Sequence, residues 1–322
     1  MTKDPRPVEE VTAFLAAHHG SLVTDVTYLV GGYWSSAYSY QCDGRELVVR
    51  FGQIRDGYDM DELAAAWAGP DLPIPEVLAV GAAFDGAFAI SARHHGQFLE
   101  DVAVGDAPSA GAALEHLLAA FRAVPAPADA PSSWYPPGEP SDTSTWRQWL
   151  VDSLIDDPRQ VVSGWRAGLA EDPELDDLYR RCERRIGELL DVCPERRDVV
   201  HGDLLHKNVL LSDDWSHVTA VFSWKCSVRG DFLFDVAWCT FWGAWHPGIA
   251  AIDLWRRTIA NPRLGELLDH AAERHHCYEL AIGAKHLGWH AWTGDSAELH
   301  RVAEHTAAIL DRGPRPAAAI TG

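Results

Sequence analysis

The sequence predicts an α+β chain in two lobes, a small antiparallel-sheet lobe followed by a larger helical one. Three observations predict it. β-rich runs crowd the first third of the 322 residues, and Asp43-Gly44 between two of them is a hairpin signal. Beyond Asp106 the apolar residues fall at helical spacing. Within that helical stretch lies one β-like island, Val199–Leu211 with His217–Phe222.

Taken in order, Val8 to His19 is expected to be a helix with Pro7 at its start and Gly20 just past its end. Proline lacks the N–H that a first turn leaves unpaired, and glycine exits a helix without steric cost. Strands are expected at Leu22–Val30, Ala37–Cys42 and Glu46–Phe51, a helix at Asp59–Ala68, then strands at Glu76–Val80 and Ala87–Ala92. The helices expected beyond are Ala110–Ala123, Thr145–Ile155, Leu175–Asp191, Asp253–Ile259 and Leu264–Trp292. Pro125–Ser144, rich in Pro, Ala and Ser, reads as a surface connection. These elements divide the chain into lobes at 1–93 and 94–322.

Composition narrows the function classes. There are 47 acidic and 27 basic side chains, a formal net charge of −20 at pH 7. Binding nucleic acid or an anionic membrane needs a basic footprint, so neither partner is expected, whereas a cationic ligand suits this charge. The N-terminal MTKDPRPVEE has no apolar signal region, and no apolar run reaches the roughly 18 residues of a spanning helix. The cysteines (Cys42, Cys182, Cys193, Cys226, Cys239 and Cys277) include no Cys-x-x-Cys pair. They read as buried reduced thiols of a cytoplasmic protein.

The most informative segment is Val200-His201-Gly202-Asp203-Leu204-Leu205-His206-Lys207-Asn208-Val209-Leu210-Leu211. Its apolar ends place His-Gly-Asp and Asn208 in a loop between short buried strands. In phosphoryl transfer an Asp so placed orients or accepts the proton of the attacking hydroxyl, and an Asn helps hold a metal ion. A solvated strand–turn–strand with an Asx turn fits the same spacing.

The context decides for chemistry. After Asn208 come Val221-Phe222-Ser223-Trp224-Lys225, then Gly230-Asp231 and the apolar run Phe232–Trp238. This resembles the aminoglycoside phosphotransferase and choline kinase family, whose pattern is His-Gly-Asp-x4-Asn, a strand ending in Ile-Asp-Trp, then Gly-Asp-Pro and a helix. Gly202-Asp203, Asn208, Trp224 and Gly230-Asp231 fall in register with it. The likeness is closest to hygromycin B phosphotransferases, through Leu72–Leu78, Thr145-Trp146-Arg147 and Val199–Asn208, and spans about residues 8 to 260. The resemblance implies a bilobal protein-kinase-like fold, a nucleotide-binding N-lobe, ATP and magnesium as cofactors, and an aminoglycoside-like cationic small molecule as substrate. It also implies that Asp203 is catalytic, that Asn208 holds the metal, and that His201 is a buried loop anchor. One position departs: Ser223 stands where the family has its metal-binding Asp. A neutral hydroxyl is a weak ligand, so metal binding and rate should fall. Asp213 and Asp214, in the hairpin turn, are on the wrong side to replace it.

The resemblance gives further residues roles. Gly31-Gly32-Tyr33-Trp34-Ser35-Ser36 would cover the nucleotide, with Gly32 allowing close approach and Ser35 and Ser36 donating to phosphate oxygens. An ordinary Gly-rich hairpin turn fits the same residues. Arg50 takes the place of the phosphate-binding lysine, with Asp59, Asp61 or Glu62 as its acidic partner. Ser91 to Gly96 would be the adenine-holding hinge. On the substrate side Asp152, Asp156 and Asp231 are the expected contacts. Asp157, Glu171, Asp172, Glu174, Asp176 and Asp177 would extend an acidic lining opposite Arg50, although helix surfaces use such residues too. Trp238, Trp242, Trp245, Trp289 and Trp292 serve as core or as a wall against a sugar ring. His286 with His290, and His275-His276, have spacings open to metal ligation but no acidic or thiol partner.

Three functions follow. One is an ATP-dependent O-phosphotransferase acting on a hydroxyl of a cationic antibiotic. Another, motivated by Ser223, is a kinase-like binding protein with weak or no turnover. The last is a kinase fold retasked for different chemistry through Lys225 or Cys226.

Overall fold

A computed structural model describes residues 5–126 and 145–316, so the expected 125–144 connection lies outside the described residues from 127 onward. The first helix, α1 (Val8–His19), has the bounds that Pro7 and Gly20 set, and the Gly20 N–H closes on the Ala16 carbonyl at a φ of 64°. Its Val11 and Leu15, one turn apart, are buried against the sheet that follows.

That sheet begins as an antiparallel meander of β1 (Val23–Gly31), β2 (Ser35–Cys42) and β3 (Arg45–Gly52). Asp43 and Gly44 turn the hairpin with φ of 50° and 75°, the left-handed pair that an Asp-Gly turn supplies. After α2 (Asp56–Ala65), β4 (Val77–Ala83) and β5 (Gly86–Ala92) complete five strands in the order β1-β2-β3-β5-β4. Tyr38, Tyr40, Val49 and Ile90 fill its apolar face.

The chain leaves this sheet at Ala92, and β6 (Gln97–Phe98) already belongs to another. Helices α3 (Ala107–Ala123), α4 (Trp146–Asp152), α5 (Trp165–Ala170) and α6 (Pro173–Leu189) follow. The expected island is β7 (Asp198–Val200), β8 (Val209–Leu211) and β9 (Val218–Val221), and β10 (Val228–Gly230) lies beyond it. β8 lies between β6 and β9, and β10 pairs with β7. Helices α7 (Leu233–Trp242), α8 (Pro247–Ile252), α9 (Leu254–Ala260), α10 (Ala271–Thr293) and α11 (Ser296–Arg312) close the fold. α10 packs on α5, α6, α7 and α11 and forms the spine of the core.

The α+β expectation, a small antiparallel sheet followed by a helical region, is what the structure has. Several elements differ from expectation, among them the short α5, α8, β6 and β10, which were not expected. Leu264–Trp292 is not one helix: His270 sits in the left-handed region (φ 52°) and starts α10 afresh after a short 3-10 turn. α11 was not expected, although Asp295 caps it by accepting the Glu298 N–H (3.1 Å), a readable signal. No described helix is long and apolar enough to cross a membrane, and the cysteines are free thiols, all but the half-buried Cys226 fully buried.

Candidate active site

Between β7 and β8 the chain turns through His201-Gly202-Asp203, and three neighbours hold the turn. Asp235, in the first turn of α7, accepts the His201 and Gly202 N–H groups at 2.8 and 2.9 Å. Burial pushes its carboxyl up to about 7, against the pull of those two donors. Gly202 has a φ of 72°, and a Cβ there would lie 2.7 Å from the Cys226 carbonyl oxygen, so the position takes glycine alone. His201, wholly buried, donates Nε2–H to the Phe222 carbonyl (3.2 Å) and accepts the Asp203 N–H at Nδ1 (3.2 Å). It is the loop anchor that was expected, and burial keeps it below its ordinary value.

Asp203 therefore emerges from a fixed turn with its carboxylate partly exposed to the cleft. The Asn208 amide donates to its Oδ2 (3.0 Å) and to its main-chain oxygen (2.8 Å). His206 Nδ1 lies 2.6 Å from Oδ1. Burial opposes charge on His206, but the hydrogen bond and charge of Asp203, aided by Glu100, outweigh it and raise the imidazole above its ordinary value. His206 and Lys207 are both left-handed (φ 62° and 65°), a conformation costly for side chains with a Cβ. Glu100 secures it by accepting the Lys207 N–H, while its other oxygen is buried without a partner; burial raises its carboxyl.

The turn after β9 packs directly against this loop, the Phe222 N–H donating to the Asn208 carbonyl at 3.0 Å. Ser223 is left-handed (φ 69°) and leads into Trp224, whose N–H donates to Asp61 Oδ1 at 2.8 Å. The other Asp61 oxygen takes Arg50 of β3, so Asp61 is the acidic partner of Arg50. Asp59 pairs with Arg55 instead (3.0 Å), and Glu62 points to solvent.

Above them the β1–β2 loop forms a roof, with Gly31, Gly32, Tyr33, Trp34 and Ser35 lining the cleft. Ser36 does not line it. Strand alternation turns its side chain to the other face, the one that carries Tyr38. Tyr33 and Trp34 reach α10 instead: Tyr33 lies 4.8 Å from Trp289, and Trp34 stacks on Trp292 at 6.1 Å and 21°.

The whole cleft encloses about 2290 Å³. Of the expected acidic lining, Asp152, Asp156 and Asp157 face it. Asp152 accepts from Gln148 (2.7 Å), Asp156 from the Gly164 and Arg166 N–H groups (2.7 and 2.8 Å), and Asp157 pairs with Arg159 (2.7 Å). The other acids lie elsewhere: Asp172 caps α6 and Asp176 pairs with Arg166 and Arg180. Asp231 is a correction. It is fully buried, held by Arg274 (2.8 Å twice) and the Tyr278 hydroxyl (2.7 Å), and acts as an interior brace between β10 and α10. Trp238, Trp242, Trp245 and Trp289 do line the cleft, with Trp238 and Trp242 almost wholly buried behind its surface.

A magnesium ion bridging nucleotide phosphates is normally held through one or two carboxylates. Here Asn208 offers only its amide oxygen and Ser223 a neutral hydroxyl. Among the described residues no three His, Cys, Asp or Glu side chains come together to hold a metal. His286 spends Nδ1 on the Ile282 carbonyl (2.8 Å), and His275 faces Glu279. The residues present do not fit a tightly held cation. Sequence reasoning missed Asp235, Glu100 and His206. Asp235 alone left a signal, as the single charge within the apolar run Phe232–Trp242.

Comparison with known proteins gives a consistent picture. Residues 25–268 match the profile of the Phosphotransferase enzyme family (APH). The chain is 30% identical over 253 residues to hygromycin-B 4-O-kinase of Escherichia coli, covering 76% of this chain and 70% of that one. It superimposes on the crystal structure of aminoglycoside phosphotransferase APH(4)-Ia with a TM-score of 0.80, at 25% identity over 96% of this chain and all (100%) of the other. A thermostable mutant of that enzyme, in ternary complex with AMP-PNP and hygromycin B, matches at a TM-score of 0.80 and 26% identity, over 94% and 98% of the two chains. The GDP complex of aminoglycoside 2'-phosphotransferase-IIIa shares the fold at a TM-score of 0.64 and 15% identity, over 95% and 99%.

Proposed function

The chain belongs to the phosphotransferase enzyme family, and on that premise we propose that it moves the terminal phosphoryl group of ATP to a hydroxyl of a hygromycin-like aminoglycoside. The observation that carries the reading is Asp203. Its carboxylate stands in the cleft on a loop fixed by Asp235, His201 and Asn208, between the β1–β2 roof and the Asp152–Asp157 wall.

In this reading Asp203 accepts the proton of the substrate hydroxyl as its oxygen bonds to the γ-phosphorus. The bond from that phosphorus to the bridging oxygen of ADP breaks, and ADP leaves with the electron pair. A positioned base of this kind contributes about 10²- to 10⁴-fold. Gly32 and Ser35 approach the phosphates from the roof and Arg50 from β3. Asp152 and Asp156 draw the ammonium groups of the drug, and the half-buried Trp245 and Trp289 pack on its rings. Aminoglycosides being polycations, the carboxylates that line this part of the cleft suit such a substrate.

The test is ADP formation by purified protein given ATP, magnesium and a panel of aminoglycosides including hygromycin B. Drug-dependent ADP supports the reading, and no ADP above the drug-free background defeats it. Ser223 supports a second reading, a nucleotide-binding protein with little turnover. It predicts nucleotide binding in the same preparation without drug-dependent ADP.

A further inference from the structure

We infer that Lys225 holds the nucleotide phosphates in this cleft, so that the protein binds nucleoside diphosphates and triphosphates without a divalent cation. The inference rests on the phosphotransferase reading and adds to it the source of positive charge.

ATP brings several negative charges, and a cleft that binds it must offset them. The positive groups of this cleft differ in how far they are already spent. Arg50 is committed to Asp61, and Arg159 is paired with Asp157. Lys225 also lines the cleft, and among the described residues it makes no ion pair. It sits on the 3-10 turn Trp224–Cys226, directly after Ser223 and Trp224.

The geometry turns that lysine toward the phosphate side. Its stem runs along the first turn of α2, where a Cβ on Gly57 would be 3.4 Å from both Lys225 Cβ and Cδ. Its ammonium lies 4.5 Å from the ring centre of Trp34, in the β1–β2 roof. Trp34 is in turn stacked on Trp292 of α10, so the platform under the charge is braced from both lobes. Burial pulls the ammonium below the ordinary lysine value, and Lys285, a second cation lining the cleft, adds to that, while Cys226 and Asp56, at the start of α2, oppose it. A cation resting on an aromatic face gives up little to meet a phosphate, because the contact needs no carboxylate to be broken.

The charge balance agrees. A carboxylate with one bound dication presents a single positive charge to a phosphate, as does a serine with a nearby lysine. Ser223 removes the anion that would have recruited a metal, and Lys225 places a fixed charge within the same turn.

The experiment is a titration of ADP and of adenosine, each in EDTA and in magnesium, read by tryptophan fluorescence or calorimetry. Wild type is expected to bind ADP in EDTA within about threefold of its affinity in magnesium. Lys225→Gln should weaken ADP in EDTA about tenfold or more, the usual scale for a lost charge-assisted contact, and leave adenosine unchanged. Lys225→Arg should retain metal-free binding. Adenosine and ADP both failing to bind wild type would defeat the nucleotide reading and this inference with it. Adenosine binding, with ADP needing magnesium, would overturn the inference alone. It would also be overturned if Lys225→Gln kept full affinity for ADP in EDTA, if it lost adenosine equally, or if Lys225→Arg lost metal-free ADP as Gln does.

Discussion

The Asp61 carboxylate accepts the Trp224 main-chain N–H at 2.8 Å while its second oxygen holds Arg50. One side chain of α2 thus fixes both the strand that carries Arg50 and the turn that carries Ser223. The two walls of the cleft are set relative to each other through a buried anion with partners on both.

Replacing Asp61 by Ala leaves the Arg50 guanidinium and the Trp224 N–H unpaired. Breaking a buried pair from one side costs about 3 to 5 kcal/mol. Asp61→Ala should lose stability on that scale in urea unfolding, and nucleotide affinity should fall with it. Asp59→Ala, which removes only an exposed pair with Arg55, should change stability by less than about 1 kcal/mol.

A second prediction concerns pH. His206 has a folded value raised above its ordinary 6.5 by Asp203, so the pair is complete below 6.5 and is lost as pH rises through the higher folded value. The imidazolium occupies Asp203 Oδ1, and its loss frees that oxygen to take the hydroxyl proton. Turnover should therefore rise with pH above 6.5. His206→Asn should flatten that limb, measured as kcat/KM from pH 6 to 9. An unchanged limb would remove His206 from the account.

Much of this site was legible in the sequence because it rests on local signals. The Asp43-Gly44 turn, the Pro7 and Gly20 boundaries of α1, and the His-Gly-Asp loop each follow from residues a few positions apart. What failed was long-range. Asp59, Asp61 and Glu62 are equivalent in sequence, and only the facing of α2 toward Trp224 selects Asp61. Asp231 looked like a cleft residue because nothing nearby announces Arg274 and Tyr278, more than forty positions on. Ser36 differs from Ser35 only by strand alternation, which a shift of one residue reverses.

The roof makes a third prediction. Tyr33 and Trp34 meet Trp289 and Trp292 across the cleft, at centroid separations from 4.8 to 6.1 Å. Aromatic pairs of this kind contribute about 0.5 to 1.5 kcal/mol beyond burial. Trp292→Ala should release the roof from α10 and raise the Kd for ADP about three- to tenfold. Phe at position 292 should restore most of the loss.

Gly202 supplies a fourth. Its φ of 72° and the 2.7 Å clearance to the Cys226 carbonyl leave no room for a methyl group. Gly202→Ala should destabilise the fold by about 1 to 3 kcal/mol through strain alone and depress turnover further by moving Asp203. Thermal unfolding and drug-dependent ADP formation, measured on one preparation, separate the two effects.

The most direct measurement is the mass of hygromycin B after incubation with ATP and either wild type or Asp203→Asn. The account predicts that wild type adds one phosphoryl group to the drug and that Asp203→Asn, though it still binds ADP, adds it at least about a hundredfold more slowly. Unmodified drug with wild type, or equal phosphorylation by both proteins, would contradict it.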